Sequence, residues 1–186
     1  MPTLSTVEWL EWPDWLDAGV VALAFAVTSF WWINQRPGSV RIARPNSYVY
    51  ASPRIVRLRL PLAFYNSGAA ARIVNDLRVC VETEGERGPL PWIATLPSMR
   101  RSGEDVSNFA TPFTVAGRST REVLAEFGDG LGWTPQPSSC HVLRIEAKVH
   151  GRDRWRKVGR FDWWAPPLEA PLSRLKAYRN APEQDP

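Results

Sequence analysis

One uninterrupted apolar stretch near the N-terminus stands apart from the rest of the chain. It runs from Trp15 to Ile33 and contains no charged residue after Asp17. With its flanks it approaches the roughly 20 residues that a helix needs to cross a bilayer. The pattern predicts a transmembrane helix over residues 15–34, preceded by a short acidic tail over residues 1–14. The alternative that this length also allows is a buried core helix of a soluble domain.

Aromatic and basic residues flank this stretch as they flank membrane spans, with indole rings at the headgroups and cations on the cytoplasmic side. The predicted membrane-interface residues are Trp9, Trp12, Trp15, Trp31, Trp32, Arg36, Arg41 and Arg44. No Lys or Arg precedes the span. The positive-inside rule therefore predicts an external N-terminus and a cytoplasmic C-terminal domain. A cleaved signal peptide is disfavoured, because the preceding segment is acidic and no small-residue cleavage site follows.

Small residues recur along one face of the predicted span. Ala18, Ala22 and Ala26 are spaced four residues apart, and Gly19 lies beside the first of them. Small side chains let another membrane helix approach closely, so this face is predicted to pack against a helix. The alternative is that alanine is simply common in membrane helices.

After the span, the pattern changes to short segments in which apolar and polar residues alternate. The clearest runs from Val56 to Tyr65, and a hairpin is predicted around Gly151, with strands over 143–149 and 155–163. Such alternation, broken by Gly, Pro and Asn, is typical of antiparallel strands. Seven or eight of them predict an antiparallel β-sandwich over residues 35–166, with a closed barrel as the structural alternative. Residues 167–186 are predicted to be a Pro-rich and charged tail.

Charge is distributed unevenly between the two parts. All 23 Lys and Arg residues follow the span, against 15 of the acids, so this part carries a net charge of about +8. Cations next to a span attract anionic lipid headgroups, by about 1 kcal/mol each. Nucleic acid is not expected, because the Arg residues are spread along alternating strands and are not clustered with stacking aromatics.

The segment LPLAFYNSGAAARIVNDLRVCV, from Leu60 to Val81, resembles immunoglobulin-like and fibronectin-like β-sandwich domains of bacterial single-span membrane proteins. In those domains a strand ending in aromatic-Asn-x-Gly is followed by a strand bearing Ile or Val and then Leu. Residues 113–117 and 155–163 are similar to their middle and final strands. The chain lacks the Cys…Trp…Cys spacing of antibody domains. The resemblance implies an accessory subunit in the bacterial inner membrane, including those of envelope and phage-defence assemblies.

The residues that carry enzyme chemistry do not form a recognisable set. Cys80 and Cys140 lie far apart without a CxxC pairing, so they are expected to be free thiols in the cytoplasm. His141 and His150 do not define a metal site, and adjacent Cys140 and His141 point to opposite faces of a strand. Ser139 is no better placed than Cys140 to act as a nucleophile. We therefore expect no catalytic residues, no metal and no cofactor.

The preferred hypothesis is a non-catalytic, membrane-anchored accessory subunit that binds an integral membrane partner or forms a homo-oligomer. Its predicted contact loops are residues 82–91, 100–108 and 128–139. The alternative is a ligand- or nucleotide-sensing membrane effector whose domain controls oligomerisation of the span. Its aromatic pocket would draw on Trp92, Trp133, Trp155, Trp163 and Trp164.

Overall fold

The computed structural model describes residues 14–36, 38–51, 56–82, 88–97, 108–129, 135–167 and 176–181. The chain divides into two compact units, Met1–Arg36 and Pro37–Pro186. The first contains one helix, α1 (Asp14–Gln35), and the second contains the strands. The structure is therefore mainly β with one N-terminal apolar helix. Trp9 and Trp12 lie outside the described residues.

Helix α1 is apolar on every side. Its exposed apolar residues are distributed around the helix and include Val20, Val21, Leu23, Phe25, Val27, Phe30 and Ile33. The one hydroxyl in this stretch that the structure pairs is that of Thr28, which donates to the Ala24 carbonyl oxygen over 2.8 Å. The helix ends at Gln35, and Pro37, which has no N–H to continue it, follows. An N-terminal apolar helix is thus confirmed.

By length and composition, the segment Asp17–Gln35 is sufficient to cross a membrane, and none of it is buried. A helix that is apolar all round normally lies in a protein core or in a bilayer. In water each fully exposed large apolar side chain forgoes about 1.5–3 kcal/mol of burial free energy. Whether α1 crosses a membrane stays a prediction.

Eleven strands occur in the described part of the second unit, and every pairing between them is antiparallel. They are β1 (Val40–Ile42), β2 (Ser47–Ala51), β3 (Val56–Asn66), β4 (Arg72–Val81), β5 (Leu90–Leu96), β6 (Asn108–Phe109), β7 (Phe113–Val115), β8 (Thr120–Asp129), β9 (Cys140–Val149), β10 (Arg156–Trp164) and β11 (Lys176–Arg179).

Eight of these strands form one continuous path in the order β10-β9-β4-β5-β8-β3-β2-β11, and β1, β6 and β7 attach at the side of β3, β5 and β4. Strand β5 joins the two halves of the path. Leu90 and Pro91 pair with β4, whereas Trp92 to Leu96 pair with β8. The strands therefore curl into a nearly closed antiparallel barrel, which was the alternative to two separate sheets.

The two ends of the path are joined by side chains and not by a strand ladder. The Tyr48 hydroxyl on β2 donates to the Trp164 carbonyl oxygen on β10. Asn180, directly after β11, accepts a hydrogen bond from Trp164 N and donates to the carbonyl oxygen of Asp162. Burial and the neighbouring Tyr178 and Tyr50 raise the pKa of Tyr48, so its hydroxyl stays a neutral donor.

The core forms along β3 as its alternation predicts. Leu58, Leu60, Leu62 and Phe64 are fully buried, and they face the buried Val123, Ala125 and Phe127 of β8. Pro61 is tolerated inside this central strand because it lies between the residues that pair with β2 and those that pair with β1. At that edge of β3 no hydrogen bond between strands would need the N–H that proline lacks.

Strand β11 was not expected. Residues 176–179 belong to the predicted C-terminal tail, yet they pair with Ser47 to Tyr50 of β2. The β-unit therefore extends beyond residue 166. The strands predicted around Val56–Tyr65 and on both sides of Gly151 are confirmed. Residues 168–175 and 182–186 of the predicted tail lie outside the described residues.

Candidate functional site

A basic groove lies where the β-unit begins in the chain. It has a volume of about 270 Å³ and is lined by four cationic side chains from three separate segments, together with three valines, Gly38 and Ser39. The cations are Arg72, Arg152, Arg156 and Lys157, and the valines are Val40, Val149 and Val158. Below, "basic groove" means this set of residues.

The groove is assembled by the starts of β1, β4 and β10 and by the turn after β9. Asn66 fixes part of this end. Its side chain donates to the Ala70 carbonyl oxygen over 2.8 Å and accepts from Gly68 N over 3.0 Å. Ser39 and Ser67 also contact each other at this end of the groove, where Ser39 N donates a hydrogen bond to Ser67 Oγ over 3.1 Å. The Asn-x-Gly turn predicted after β3 therefore holds the loop against the first residues of β1.

A β-bulge directly follows the two consecutive cations that line the groove. Lys157 pairs with Glu146 and Gly159 pairs with Ile145, so Val158 is an extra residue in β10. A bulge changes which face successive side chains occupy. Arg156 and Lys157 are both exposed, whereas Val158 is 6% exposed and belongs to the core.

Close packing of β1 on β10 also shapes this end. A Cβ added at Gly159 would lie 2.1 Å from Cγ1 of Ile42. Only glycine at this position lets β1 approach β10 so closely.

The groove cations have no carboxylate partner in the described part of the chain. Ion pairs between described residues join Arg57 and Arg59 to Glu126, and Arg78, Arg144 and Arg160 to Glu146 or Glu82. None of them includes Arg72, Arg152, Arg156 or Lys157. The one acid in the turn between β9 and β10, Asp153, is also absent from these pairs. The groove therefore gathers four cations that form no ion pair within the described residues, although the charge of Lys157 also helps to lower the pKa of Glu82.

A second set of arginines, on the outer face of β4, β9 and β10, forms ion pairs with glutamates. Arg78 Nη2 lies 2.6 Å from Glu146 Oε2, and Arg160 Nε lies 2.8 Å from Glu82 Oε2. The hydrogen bond from Arg160 lowers the pKa of Glu82, with smaller contributions from the charges of Arg160 and Arg144. Arg78 also lies over the Trp155 ring, 4.3 Å from its centroid. These arginines hold neighbouring strands together.

Ser139 and His141 lie closer than the sequence analysis expected. Ser139 Oγ is 2.7 Å from His141 Nε2 and also donates to the Gln136 carbonyl oxygen. Because a carbonyl only accepts, the hydroxyl proton points to Gln136 and His141 Nε2–H donates to the serine. A serine nucleophile needs the opposite polarity, in which histidine accepts the hydroxyl proton. The pair closes the turn before β9, and the i, i+2 spacing on one strand face was the signal for it.

The thiols lie apart, as expected. Cys140 is exposed, Cys80 is partly buried, and both are free. Burial raises the pKa of the Cys80 thiol, although its hydrogen bond with Arg144 opposes this. No cluster of three or more His, Cys, Asp or Glu that could hold a metal occurs among the residues described.

The predicted membrane-interface residues that the structure describes are divided between the two units. Trp15, Trp31 and Trp32 are exposed on α1, and the Arg36 guanidinium lies 4.1 Å from the centroid of the Trp32 ring. Arg41 is exposed on β1, and Arg44 donates to the Asn180 carbonyl oxygen over 3.4 Å. None of these arginines lines the basic groove. Its cations come from later in the chain, and the signal for them was the run Arg152, Arg154, Arg156 and Lys157.

The predicted helix-packing residues form an open face. Ala18, Gly19, Ala22 and Ala26 are all exposed, and a Cβ added at Gly19 would meet nothing within 4 Å. That is the space another helix would need. The structure contains no second chain, so the packing stays a prediction.

The aromatic residues proposed for a ligand pocket are not brought together. Trp92 contacts Phe113 and donates to the Ala94 carbonyl oxygen, whereas Trp163 contacts Tyr48 and Tyr50. Both rings are core residues, at 6% and 0% exposure. Trp133 and most of the three predicted contact loops lie outside the described residues.

Comparison with known proteins gives no relative for this arrangement. No protein-family model matches the chain, and no curated protein or solved structure is significantly similar to it.

Proposed function

We propose that this chain is a non-catalytic, membrane-anchored interaction module in which α1 crosses a membrane and the β-unit contacts a partner at its surface. The observation that carries this proposal is the exposure of α1. Its apolar side chains surround the helix and none of the predicted span is buried. A bilayer is the environment in which such a helix loses no burial free energy.

The connection between the two units supports the same function. Only Arg36 and Pro37 separate Gln35, the last residue of α1, from Gly38 in the basic groove. A domain on so short a tether stays in a thin layer at the membrane surface. Weak contacts with another membrane protein then act at a high effective concentration.

The proposed orientation places the N-terminus outside and the β-unit in the cytoplasm of a bacterial cell. It rests on the absence of Lys and Arg before the span and their abundance after it. The partner is an integral membrane protein or another copy of this chain, contacted through Ala18, Gly19, Ala22 and Ala26. The resemblance to immunoglobulin-like sandwiches makes envelope and phage-defence assemblies the first places to search for it.

The alternative function is a ligand- or nucleotide-sensing membrane effector, and two of the five tryptophans proposed for its pocket, Trp92 and Trp163, fill the core. A sensor would instead have to use the basic groove. The proposal that the chain is not an enzyme is supported by the polarity of the Ser139–His141 contact, which is unsuited to nucleophilic attack.

The test is to purify the full-length chain from its host in nanodiscs and measure the mass of the intact complex. A stoichiometric second protein supports the interaction module, a closed homo-oligomer with nothing else bound favours the membrane effector instead, and a monomer alone contradicts both. Ala22→Leu should dissociate the assembly, because a bulky side chain blocks close helix approach. Ala24→Leu is the matched control, since position 24 lies on the opposite side of the helix. Equal effects of both variants would remove the small-residue face from the proposal.

A further inference from the structure

We infer that the basic groove binds the phosphate group of an anionic phospholipid headgroup. The groove combines four cations, an adjacent serine hydroxyl and an apolar lining in one depression. This inference rests on the proposed function, because it assumes that α1 is inserted in a bilayer. It adds a specific site to the general attraction between a basic domain and a membrane.

The first step is electrostatic. Arg72, Arg152, Arg156 and Lys157 form no ion pair with a carboxylate among the described residues, whereas the arginines of the other clusters pair with Glu126, Glu146 or Glu82. Arginine binds phosphate oxygens in a bidentate manner, and lysine adds a point charge. Unpaired cations that converge from three segments of the fold therefore favour a phosphate ligand over a neutral one.

The second step is reach. Two residues, Arg36 and Pro37, separate Gln35 from Gly38 at the groove, and the three steps between successive Cα atoms span at most about 10 Å. The headgroup layer of a bilayer is about 5–8 Å thick on each side of the hydrocarbon core. A groove tethered this closely to the end of a membrane span lies within reach of headgroup phosphates.

The third step is size. The groove volume of about 270 Å³ is slightly below the roughly 300–1,000 Å³ of pockets that enclose drug-sized ligands. A phosphate with its glycerol carbons fits such a depression better than a complete nucleotide. The valines at 40, 149 and 158 offer apolar contacts to those carbons.

The experiment compares amide hydrogen exchange of the full-length chain in two kinds of nanodisc, phosphatidylcholine alone and phosphatidylcholine mixed with phosphatidylglycerol. In the anionic discs the amides of residues 38–40 and 150–158 should exchange at least about fivefold more slowly, since one cation near an anionic surface contributes about 1 kcal/mol. The same rates in both discs would overturn the inference.

Two variants distinguish binding of the headgroup in the groove from a diffuse electrostatic attraction of the β-unit to the anionic membrane. Arg156→Gln removes a groove cation and should abolish most of the protection. Arg154→Gln removes the same charge from an exposed residue two positions away that does not line the groove, and it should retain the protection. If both variants lose protection equally, the attraction is diffuse and the groove is not a site.

Free glycerol phosphate added to phosphatidylcholine discs separates the two possible sources of phosphate. Protection by this soluble anion, without protection in the anionic discs, would overturn the headgroup assignment. Failure of the chain to remain in any disc would instead contradict the proposed function. A chain that remains in the discs without groove protection contradicts only the present inference.

Discussion

Asn180 Oδ1 accepts a hydrogen bond from the backbone N–H of Trp164 over 3.1 Å, which connects the segment after β11 to the last residue of β10. The same side chain donates to the carbonyl oxygens of Asp162, over 3.0 Å, and Pro45, over 3.1 Å. These are backbone groups at opposite ends of the eight-strand path. One buried asparagine thereby takes the place of a strand ladder where the barrel closes.

Replacing this asparagine should destabilise the β-unit. Asn180→Ala leaves three buried or partly buried backbone groups without their partner, and each such group costs about 1–3 kcal/mol. We expect a loss of about 2–4 kcal/mol in the free energy of unfolding, measured by urea denaturation of the full-length chain in detergent with tryptophan fluorescence. Asn46→Ala is the control, because its exposed side chain makes none of these bonds. A change of similar size in both variants would show that Asn180 does not close the barrel.

Arg59 and Glu126 form a buried ion pair on the outer face of the sheet. Arg59 Nε lies 2.7 Å from Glu126 Oε2, and the two side chains are 1% and 3% exposed. Arg59→Met or Glu126→Leu should each lower the free energy of unfolding, but by less than the about 3–5 kcal/mol lost when an isolated buried pair is broken, because Glu126 also pairs with Arg57. The double variant should cost clearly less than the sum. Additive losses in this double-mutant cycle would mean that the pair is not coupled.

Gly38 lies at a close approach between two backbone segments. A Cβ at this position would lie 1.8 Å from Gly68 N, and a backbone atom cannot move aside as a side-chain end can. Gly38→Ala should therefore lower the free energy of unfolding by about 1–3 kcal/mol, as overpacking does. Gly88→Ala, where an added Cβ meets nothing within 4 Å, should be nearly neutral. Thermal unfolding of both variants tests this, and equal melting temperatures would contradict it.

The ion pairs of Glu82 predict a small dependence of stability on pH. The hydrogen bond from Arg160 lowers the pKa of Glu82 in the folded chain. The stabilisation is therefore present above the unfolded pKa and is lost as the pH falls through the lower folded pKa. Because the pair is largely exposed, we expect less than about 1 kcal/mol. The difference in unfolding free energy between the wild type and Glu82→Gln should shrink at acidic pH, and a difference that grows would have the wrong sign.

Local patterns predicted much of this fold. The alternation from Val56 to Tyr65 placed β3 within one residue, and the turn at Asn66 followed from its residue types. Strand β11 was missed because four residues, Lys176 to Arg179, are too few for a period-two signal. Its strand character depends on pairing with β2, which is distant in sequence. The choice between a sandwich and a barrel likewise depends on contacts between segments that are distant in sequence, namely those of Asn180 and Tyr48.

The basic groove was beyond prediction for a similar reason. Arg72 and Arg156 are separated by more than 80 residues, and only the pairing of β4 with β9 and of β9 with β10 brings them together. The bulge at Val158, directly after Arg156 and Lys157, has no clear signature in the sequence. The cluster of cations between residues 152 and 157 was visible in the sequence, but the absence of ion pairs between the groove cations and the described carboxylates was not.

The most direct test of the membrane-anchored module is the labelling of Cys140 in membranes. Cys140 is exposed, and in a Cys80→Ser background it is the only thiol. Burial and the charge of Asp162 raise the pKa of Cys140, so labelling belongs at mildly alkaline pH. Bacterial spheroplasts that express the full chain are treated with a membrane-impermeant maleimide before or after permeabilisation, and the carbonate-washed membranes are analysed. We predict that the chain stays in the membranes and is labelled only after permeabilisation. A chain released by carbonate, or labelled in intact spheroplasts, would contradict the anchor or its orientation, respectively.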